Sequence, residues 1–493
     1  MSHKHFWKTS DAKYRAMQLE GEKEAEVVIV GAGITGLTTA YSLVEKGKSV
    51  VVLEAEEIAH SATSLSSAHL TTAVDYYYSN IQSNYNTKTA KMVAQSRKTA
   101  IAFISAMAEK FPCDFRFVHG FLYSEDDKGA LSAEHKAALE AGLKVIPETK
   151  MDLPFEFKQA LRFEEEAVFN PYLYLDGLAT YLQESGLCTI YQNTRVKSRE
   201  GNKLITDKGS IEADDIVYAT HYPVFIDMHQ TMVYPYRSYM LAAKVEDYPG
   251  DALYWDTYSP YHYTRTCEID GEKYLLVGGG DHKTGETEED AYIKLEAYLH
   301  ERYTVKEISM KWSSQYFEPA DGLPYIGKSF DGKEYIATGF SGDGLVYGTL
   351  AGLLISDHIL GTALYTDWYT VYDAQRLNPL KSSGKFTKEN ISVASHMVKD
   401  RLNAKKVERP PALSPGEGRV VNISGEKIAV SKNSDGQESY VSAVCPHLKC
   451  VVTWNKLEQT WDCPCHGSRF RSNGKLIAGP AVNGLKPVVI SFD

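Results

Sequence analysis

The feature that most restricts this chain is a pair of cysteine–histidine boxes near its C-terminus. They read Cys445-Pro446-His447-Leu448-Lys449-Cys450 and Cys463-Pro464-Cys465-His466-Gly467-Ser468. Cysteines scattered singly through an intracellular chain, as Cys113, Cys188 and Cys267 are here, mostly serve as small apolar core residues. Cysteines clustered with histidines bind metal. Each box offers one Cys and one His, in C-x-H and C-x-x-H spacing. Two thiolates on one iron and two neutral imidazoles on the other hold a [2Fe-2S] cluster of low negative charge, with a potential of roughly −150 to +300 mV. Such a centre takes electrons readily. Zinc on two Cys and two His, or on four Cys, is the alternative. It suits the spacing poorly, because zinc ribbons place at least two residues between paired thiolates and Cys463 and Cys465 have one. A framework of disulfides alone suits a secreted chain, and polar Met1 to Gly21 reads as no secretory signal.

A chain of 493 residues has room for about three structural units. With 43% hydrophobic and 24% charged residues it reads as globular, which excludes collagen, coiled coil and disorder. A net charge of −11 argues against nucleic acid or an anionic membrane as the main partner. No run of 18 apolar residues is present, so no integral membrane segment is expected. A cytoplasmic location is the expectation.

The second strong constraint is near the N-terminus. Glu26-Val-Val-Ile-Val30 is a β-branched run that stops at Gly31-Ala32-Gly33-Ile34-Thr35-Gly36. A helical pattern follows from Leu37 to Lys46, closed by Gly47, and a second apolar strand, Ser49 to Leu53, ends on Glu54. This is a dinucleotide-binding βαβ unit. Its glycines allow the tight turn, the approach of backbone to a pyrophosphate and helix-on-strand packing, while Glu54 is placed to accept from a ribose hydroxyl.

The hydroxyl-rich stretch Ser61 to His69 could line a phosphate or ring-binding turn. Asn86 to Lys110 reads as helical, and Tyr191 to Thr220 as strands. Aromatic alternation from Met232 to Gly280 predicts an antiparallel sheet, with Tyr261, Tyr263 and Arg265 on one face and His262 and Thr264 on the other. Gly278-Gly279-Gly280 has no apolar helix behind it, so no second dinucleotide site is expected. The strand Lys333 to Thr338 runs into Gly339-Phe-Ser-Gly-Asp-Gly344 and a helix from Leu345 to Leu360, with Asp343 as its expected N-cap. Residues 385–410 carry seven Lys/Arg against three Asp/Glu and an apolar stripe of Ile391, Ala394, Val398 and Leu402, which predicts a basic linker helix.

Residues 411–493 resemble Rieske domains of the cytochrome bc type. The resemblance implies Cys445, His447, Cys463 and His466 as cluster ligands and a disulfide between Cys450 and Cys465. It also implies that Gly479-Pro480-Ala481 forms a loop over the cluster and that the Ser468 hydroxyl bonds a cluster sulfide. High-potential members have a tyrosine where this chain has Phe470, so a lower potential is expected.

Residues 25 to about 380 resemble the FAD-dependent amine and amino-acid oxidoreductases that include D-amino-acid oxidase and glycine oxidase. The resemblance rests on Gly31, Gly33, Gly36, Glu54, Val196, Ala219-Thr220, Asp321-Gly-Leu-Pro-Tyr-Ile-Gly327 and the turn Gly339 to Gly344. It implies FAD held by these glycines, Glu54, Val196, Ala219, Thr220, Ser341, Gly342 and Asp343, with the late turn facing the flavin ring. Glycine oxidases carry an arginine in that turn where Ser341 and Gly342 stand here, and Tyr316 replaces another, which puts an amino-acid substrate in doubt. Arg237, Tyr239, Tyr261, Tyr263, Arg265, His282 and Lys283 are the pocket candidates, and no catalytic base is assigned. His69 reads as an ordinary loop histidine, with covalent attachment to flavin as the alternative.

The expected fold is an α/β, Rossmann-like FAD-binding domain with an interleaved α+β substrate domain, plus a C-terminal all-β Rieske domain. The expected boundaries are an N-terminal extension at 1–24, the oxidoreductase body at 25–384, the linker at 385–410 and the Rieske domain at 411–493. Within the body, FAD-binding parts are expected at about 25–80, 175–225 and 320–384, and the substrate domain at about 81–174 and 226–319. The expected function is oxidation of an amine or amino-acid-like small molecule, with electrons passing from flavin to the cluster and on to an external acceptor. The alternatives are a flavin reductase, a monooxygenase fed by the Rieske domain, and a redox sensor or carrier without turnover.

Overall fold

In a computed structural model that describes residues 6–9, 14, 16–126, 130–225, 227–286, 290–377 and 405–490, the strand Gly21–Val30 sits at the centre of an eight-stranded sheet. It pairs in parallel with Val50–Leu53 on one side and Gly209–Tyr218 on the other. Cys188–Tyr191 and Tyr335–Thr338 extend the sheet in parallel, and Tyr325–Lys328 closes one edge antiparallel. These strands read as continuous apolar runs because both faces are covered. Helix Ile34–Val44 lies on one face and packs against helix Gly344–Leu360. Gly352 makes that contact close: a Cβ there would stand 2.7 Å from the Thr38 side chain.

A nine-stranded mixed sheet is the second body. Its order runs Val305–Pro319, Val233–Val245, Glu272–Lys283, Tyr263–Ile269, Ala252–Asp256, Arg116–Ser124, Gln159–Val168 and His69–Leu70, with Val145–Glu148 added on Gln159–Val168. The predicted antiparallel pairings over 233–283 are present, and Ala252–Asp256 also pairs in parallel with Arg116–Ser124 on its other side. Gly278-Gly279-Gly280 lies inside the strand Glu272–Lys283, and the next helix among the described residues is Ala291–Arg302. Side chains of opposed residues share a face. Ser238 opposite Ser314 and Tyr236 opposite Tyr316 therefore mark one face, and Arg237 opposite Gln315 and Tyr239 opposite Ser313 mark the other.

The C-terminal part is all β. One sheet holds Lys405–Lys406, Gly418–Ile423, Glu426–Lys432 and Glu438–Ser442, and the other Thr453–Asn455, Thr460–Asp462, Arg469–Arg471 and Leu476–Ala478. The expected linker helix meets a correction at its end, where Lys405–Lys406 is a strand paired with Val421–Asn422. Residues 385–404 of that linker lie outside the described residues. In the N-terminal segment, Phe6 and Trp7 are buried against the body, where Phe6 stacks on Trp312.

Candidate functional site

Gly31 ends its strand with φ +108°, and helix Ile34–Val44 then starts with no side-chain cap and no acid in its first turn. Apart from Ile34, whose N–H donates to Thr63 Oγ1, its leading N–H groups are thereby kept for an anion. Gly31, Gly33, Ile34 and Thr35 line a cavity of about 1700 Å³. The fit is close: a Cβ on Gly31 would sit 2.5 Å from the Ala219 carbonyl oxygen, and one on Gly36 would sit 1.9 Å from that of Gly31. Glu54, Val196, Ala219, Thr220, Ser341, Gly342, Asp343 and Gly344 line the same cavity, whereas Gly36 and Gly339 do not. Glu54 accepts from the N–H of Ala32 at 2.8 Å through Oε2 and from that of Glu56 at 3.0 Å through Oε1. Each carboxylate oxygen keeps a second lone pair. Burial pushes the Glu54 carboxyl above its usual range, against these two N–H groups. An uncapped helix start, a glycine cradle and a fixed acid fit a dinucleotide such as FAD.

Ser61, Thr63, Ser66 and Ser67 of the hydroxyl-rich stretch also line the cavity, and Thr63 Oγ1 accepts from the Ile34 N–H at 3.2 Å. His69 is not a loop residue. It begins the strand His69–Leu70 and lines the cavity, and burial pushes its imidazole down to about 3.

Asp343 occupies the N-cap position of helix Gly344–Leu360, but its side chain makes no capping bond. Oδ1 instead accepts from Arg97 Nη2 at 2.7 Å, and Oδ2 from the Asp75 N–H at 3.1 Å. The Arg97 guanidinium is fully buried and would be costly to leave without a counter-charge, which outweighs the cap. Asp75 Oδ2 in turn accepts from the Gly342 N–H at 2.6 Å. Burial, then neighbouring Asp343, push the Asp75 carboxyl well above its usual range. On the sheet side, Asp281 Oδ2 accepts from Tyr316 Oη at 3.0 Å, and the Ser238 hydroxyl meets Tyr263 Oη at 2.8 Å. Burial lifts the Asp281 carboxyl to about 7 against the hydroxyls of Ser238 and Tyr316.

Of the pocket candidates, Tyr261 and Tyr263 line the cavity. The others stand outside its lining. Arg265 donates from Nη1 to the Ala68 carbonyl at 2.8 Å, and Tyr239 stacks on His282 at 5.4 Å on the opposite face of the sheet. Lys283 is buried beside His466, and Arg237 is ion-paired to Glu458. Asp75, Asp281 and Arg97 escaped the sequence reading because they are isolated charges with no motif spacing. Glu458 escaped because its partners in the flavin body, Arg237 and Ser313, lie more than a hundred residues away.

In the C-terminal part both boxes lie in loops, at 443–452 and 463–468. A disulfide joins Cys450 to Cys465 with Cα atoms 6.5 Å apart. Cys450, Cys463 and Cys465 place their sulfurs within 4.8 Å of one another, but the disulfide occupies two of them. The free thiols are Cys445 and Cys463, both buried and hydrogen-bonded to each other, which lowers the first and raises the second. The His447 and His466 rings meet edge to face at 5.1 Å, and His447 Nε2 and His466 Nδ1 are buried without hydrogen-bond partners. Burial pushes His447 down to about 4 and His466 to about 3, so both imidazoles are neutral at pH 7. Two thiols and two neutral imidazoles with open ring nitrogens fit a [2Fe-2S] cluster. Ser468 Oγ accepts from the Ala481 N–H at 3.0 Å, which ties the second box to Gly479-Pro480-Ala481.

The second box rests on the nine-stranded sheet. Gln315 Nε2 donates to the Gly467 carbonyl at 2.9 Å, and Thr453 Oγ1 donates to the Gly285 carbonyl at 2.9 Å. Gly467 and Gly285 allow close approach, since a Cβ on either would come within 2.6 Å of Pro235 or Pro464. Glu458 accepts from Arg237, Arg469 and Ser313, and Arg469 Nε also donates to Asp462 at 3.1 Å. Tyr222 is buried beside Cys463, 4.6 Å from the Phe317 ring, and Phe317 is 4.9 Å from His221 on the cavity wall.

A dinucleotide cavity joined to a Cys/His metal loop defines an FAD-dependent oxidoreductase with a Rieske [2Fe-2S] domain. Residues 26–358 match the family described as DAO, FAD dependent oxidoreductase, and the chain belongs to that family. Residues 403–489 match the Rieske [2Fe-2S] domain. The chain is 29% identical to YhfW of Bacillus subtilis (strain 168), named as a Rieske 2Fe-2S iron-sulfur protein, over 98% of this chain and 97% of that one. Its C-terminal part is 35% identical to the cytochrome b6-f complex iron-sulfur subunit of Synechococcus sp. (strain JA-3-3Ab), over 20% of this chain and 50% of that one. Its fold is similar to that of glycine oxidase from Geobacillus kaustophilus, with a TM-score of 0.59 and 17% identity over 72% of this chain and 100% of that one. Among the described residues, no helix is long and apolar enough to cross a membrane.

Proposed function

We propose that this protein is a dehydrogenase that oxidises the carbon–nitrogen bond of an amine or amino-acid-like substrate and passes the electrons from FAD, through its Rieske cluster, to an external acceptor. FAD supplies two-electron acceptance from the substrate, and the [2Fe-2S] cluster supplies one-electron transfer. Gly31, Gly33 and the start of helix Ile34–Val44 would hold the pyrophosphate, Glu54 the ribose, and the turn Gly339 to Gly344 the ring. Arg97 and Asp75 fix that turn through Asp343 and Gly342. Cys445, His447, Cys463 and His466 would hold the cluster, and Ser468 would donate to it.

One observation carries this reading. The second cluster box docks on the sheet that walls the flavin cavity, with Gln315 bonded to Gly467 and Tyr222 between the cavity wall and Cys463. A carrier that met its flavoprotein only in passing would need no such buried anchorage.

The test is anaerobic. Candidate amines and amino acids are added singly to the holoprotein while visible and EPR spectra are recorded. Loss of flavin absorbance followed by growth of a Rieske EPR signal is expected with one of them. If only NAD(P)H or dithionite reduces the centres, electrons enter from a reductant and the dehydrogenase reading fails.

A further inference from the structure

The cavity wall beside the turn Gly339 to Gly344 is built from acids and aromatic rings. Asp75, Tyr261, Tyr263, Asp281, Tyr316 and Trp255 all line it. Asp75 and Asp281 sense each other electrostatically, and both act on Tyr261 and Tyr316, so they belong to one cluster. Two buried carboxyls on one wall are costly as anions, so each either keeps its proton or is joined by a positive charge.

Among the described residues the cations that reach these acids are committed elsewhere: His262, which acts on Asp281, is paired with Asp256. Arg97, the nearest to Asp75, is engaged by Asp343. Arg265 turns its guanidinium to the carbonyls of Ser67 and Ala68, and Arg237 projects from the opposite face of the sheet to Glu458. The basic side chains that line the cleft stand elsewhere. Arg195 is paired with Glu56 at the dinucleotide end, Lys311 with Glu296, and Arg469 with Glu458 and Asp462. Arg471 and Lys475 belong to the wall contributed by the C-terminal domain.

Asp281 is aimed at a missing partner. Its Oδ2 is bonded to Tyr316, while its Oδ1 is buried and meets no partner in hydrogen-bond geometry. Ser238, the hydroxyl beside it, meets Tyr263 Oη at 2.8 Å and eases the Asp281 carboxyl only in part, since burial still holds it raised. A buried acceptor left open on a cavity wall is best satisfied by a donor from the ligand, and the surrounding tyrosine and tryptophan rings attract cations through their faces.

We propose that this pocket takes its substrate as an organic cation, a protonated amine without a carboxylate, whose nitrogen is held by Asp281 among the rings of Tyr261, Tyr263 and Tyr316. The proposal rests on the dehydrogenase reading and narrows its substrate class. A carboxylate on the substrate would face Asp75 and Asp281, and among the described residues no lysine or arginine on that wall is placed to receive it.

The test uses the FAD-loaded full chain and two matched probes, benzyltrimethylammonium and phenylacetate, with binding read by titration calorimetry. The quaternary nitrogen has no lone pair, so that probe binds without being oxidised. The cation is expected to bind and phenylacetate not to bind. Asp281→Asn removes the carboxylate charge that faces the quaternary nitrogen, which has no N–H to donate, and is expected to weaken the cation by roughly tenfold. The two-probe comparison needs no variant, so a misfolded Asp281→Asn would not rescue the idea. Tighter binding of phenylacetate, binding of neither probe, or equal cation affinity in a folded Asp281→Asn would overturn it. Should the cation bind while no amine bleaches the flavin, the dehydrogenase reading falls and the cation site stands. Should an amino acid bleach the flavin while the cation does not bind, the reverse holds.

Discussion

Glu458→Gln tests whether the cluster domain is fixed against the flavin body. The Arg237 side chain is 1% exposed, and its Nε and Nη1 have no hydrogen-bond partner, so Glu458 is its counter-charge. Removing one member of a buried ion pair costs about 3–5 kcal/mol, because the other charge stays buried alone. Glu458 is itself 16% exposed, and a glutamine keeps one acceptor oxygen, which places the loss near the lower end, about 3 kcal/mol. Arg469 retains Asp462, so the cost falls on the docking contact rather than on the cluster domain's own fold. At 1.4 kcal/mol per decade, the docked population relative to the undocked one should fall by about a hundredfold. Stopped-flow spectroscopy under anaerobic conditions should show flavin absorbance lost at the wild-type rate and the Rieske signal rising much more slowly. Limited proteolysis should separate the cluster domain from the flavin body faster, and the oxidised cluster spectrum should be unchanged. Arg237→Met/Glu458→Met, which removes both charges, should recover most of the rate. Wild-type kinetics of cluster reduction in a folded Glu458→Gln would refute the fixed-docking argument.

Other perturbations separate the parts of the site. Gly36→Ala should yield protein without bound flavin, since the new Cβ would overlap the Gly31 carbonyl; a normal flavin-to-protein ratio on purification would contradict the cradle. Cys450→Ser opens a disulfide that spans 15 positions, worth about 3 kcal/mol by loop closure, so the cluster's thermal bleaching midpoint should drop; an indifferent cluster would sink the bracing role. Phe470→Tyr should raise the cluster potential in an EPR-monitored redox titration, and an unchanged or lower value would count against hydroxyl tuning at this buried position. Glu166 is buried, with its carboxyl lifted to about 7 by burial against the Thr72 hydroxyl and N–H. The native state therefore binds more protons there than the unfolded chain, and this contribution to stability is lost as pH rises from about 4.5 through 7. Glu166→Gln should flatten that part of the urea-unfolding profile by up to about 3 kcal/mol, and an unaltered pH slope would show that Glu166 titrates normally.

The readability of this chain follows the range over which each device acts. The βαβ turn and the cluster boxes are local: a glycine, its neighbours in the turn and the next strand lie within thirty residues, so spacing alone carried their chemistry. Helix Thr87–Ala108 was legible in the same way, its Asn86 cap accepting from the Thr89 N–H at 2.9 Å. Asp343 shows where local logic fails. Its position at a helix start predicts a cap, yet a buried arginine 246 residues earlier claims its carboxylate. Arg237 and Arg265 fail for a related reason. Strand alternation says which residues share a face, but not which face meets the cavity and which meets another domain. Arg237 was therefore read as a pocket residue when it anchors the Rieske domain. The substrate wall was the least legible element, because Asp75 and Asp281 acquire their meaning only when a turn from one sheet and a strand from another close on the same cavity. Long-range pairing thus commits Arg97, Arg237 and Arg265 to structural partners, and on the proposed reading of the cavity that commitment is what leaves Asp281 open to a cationic ligand.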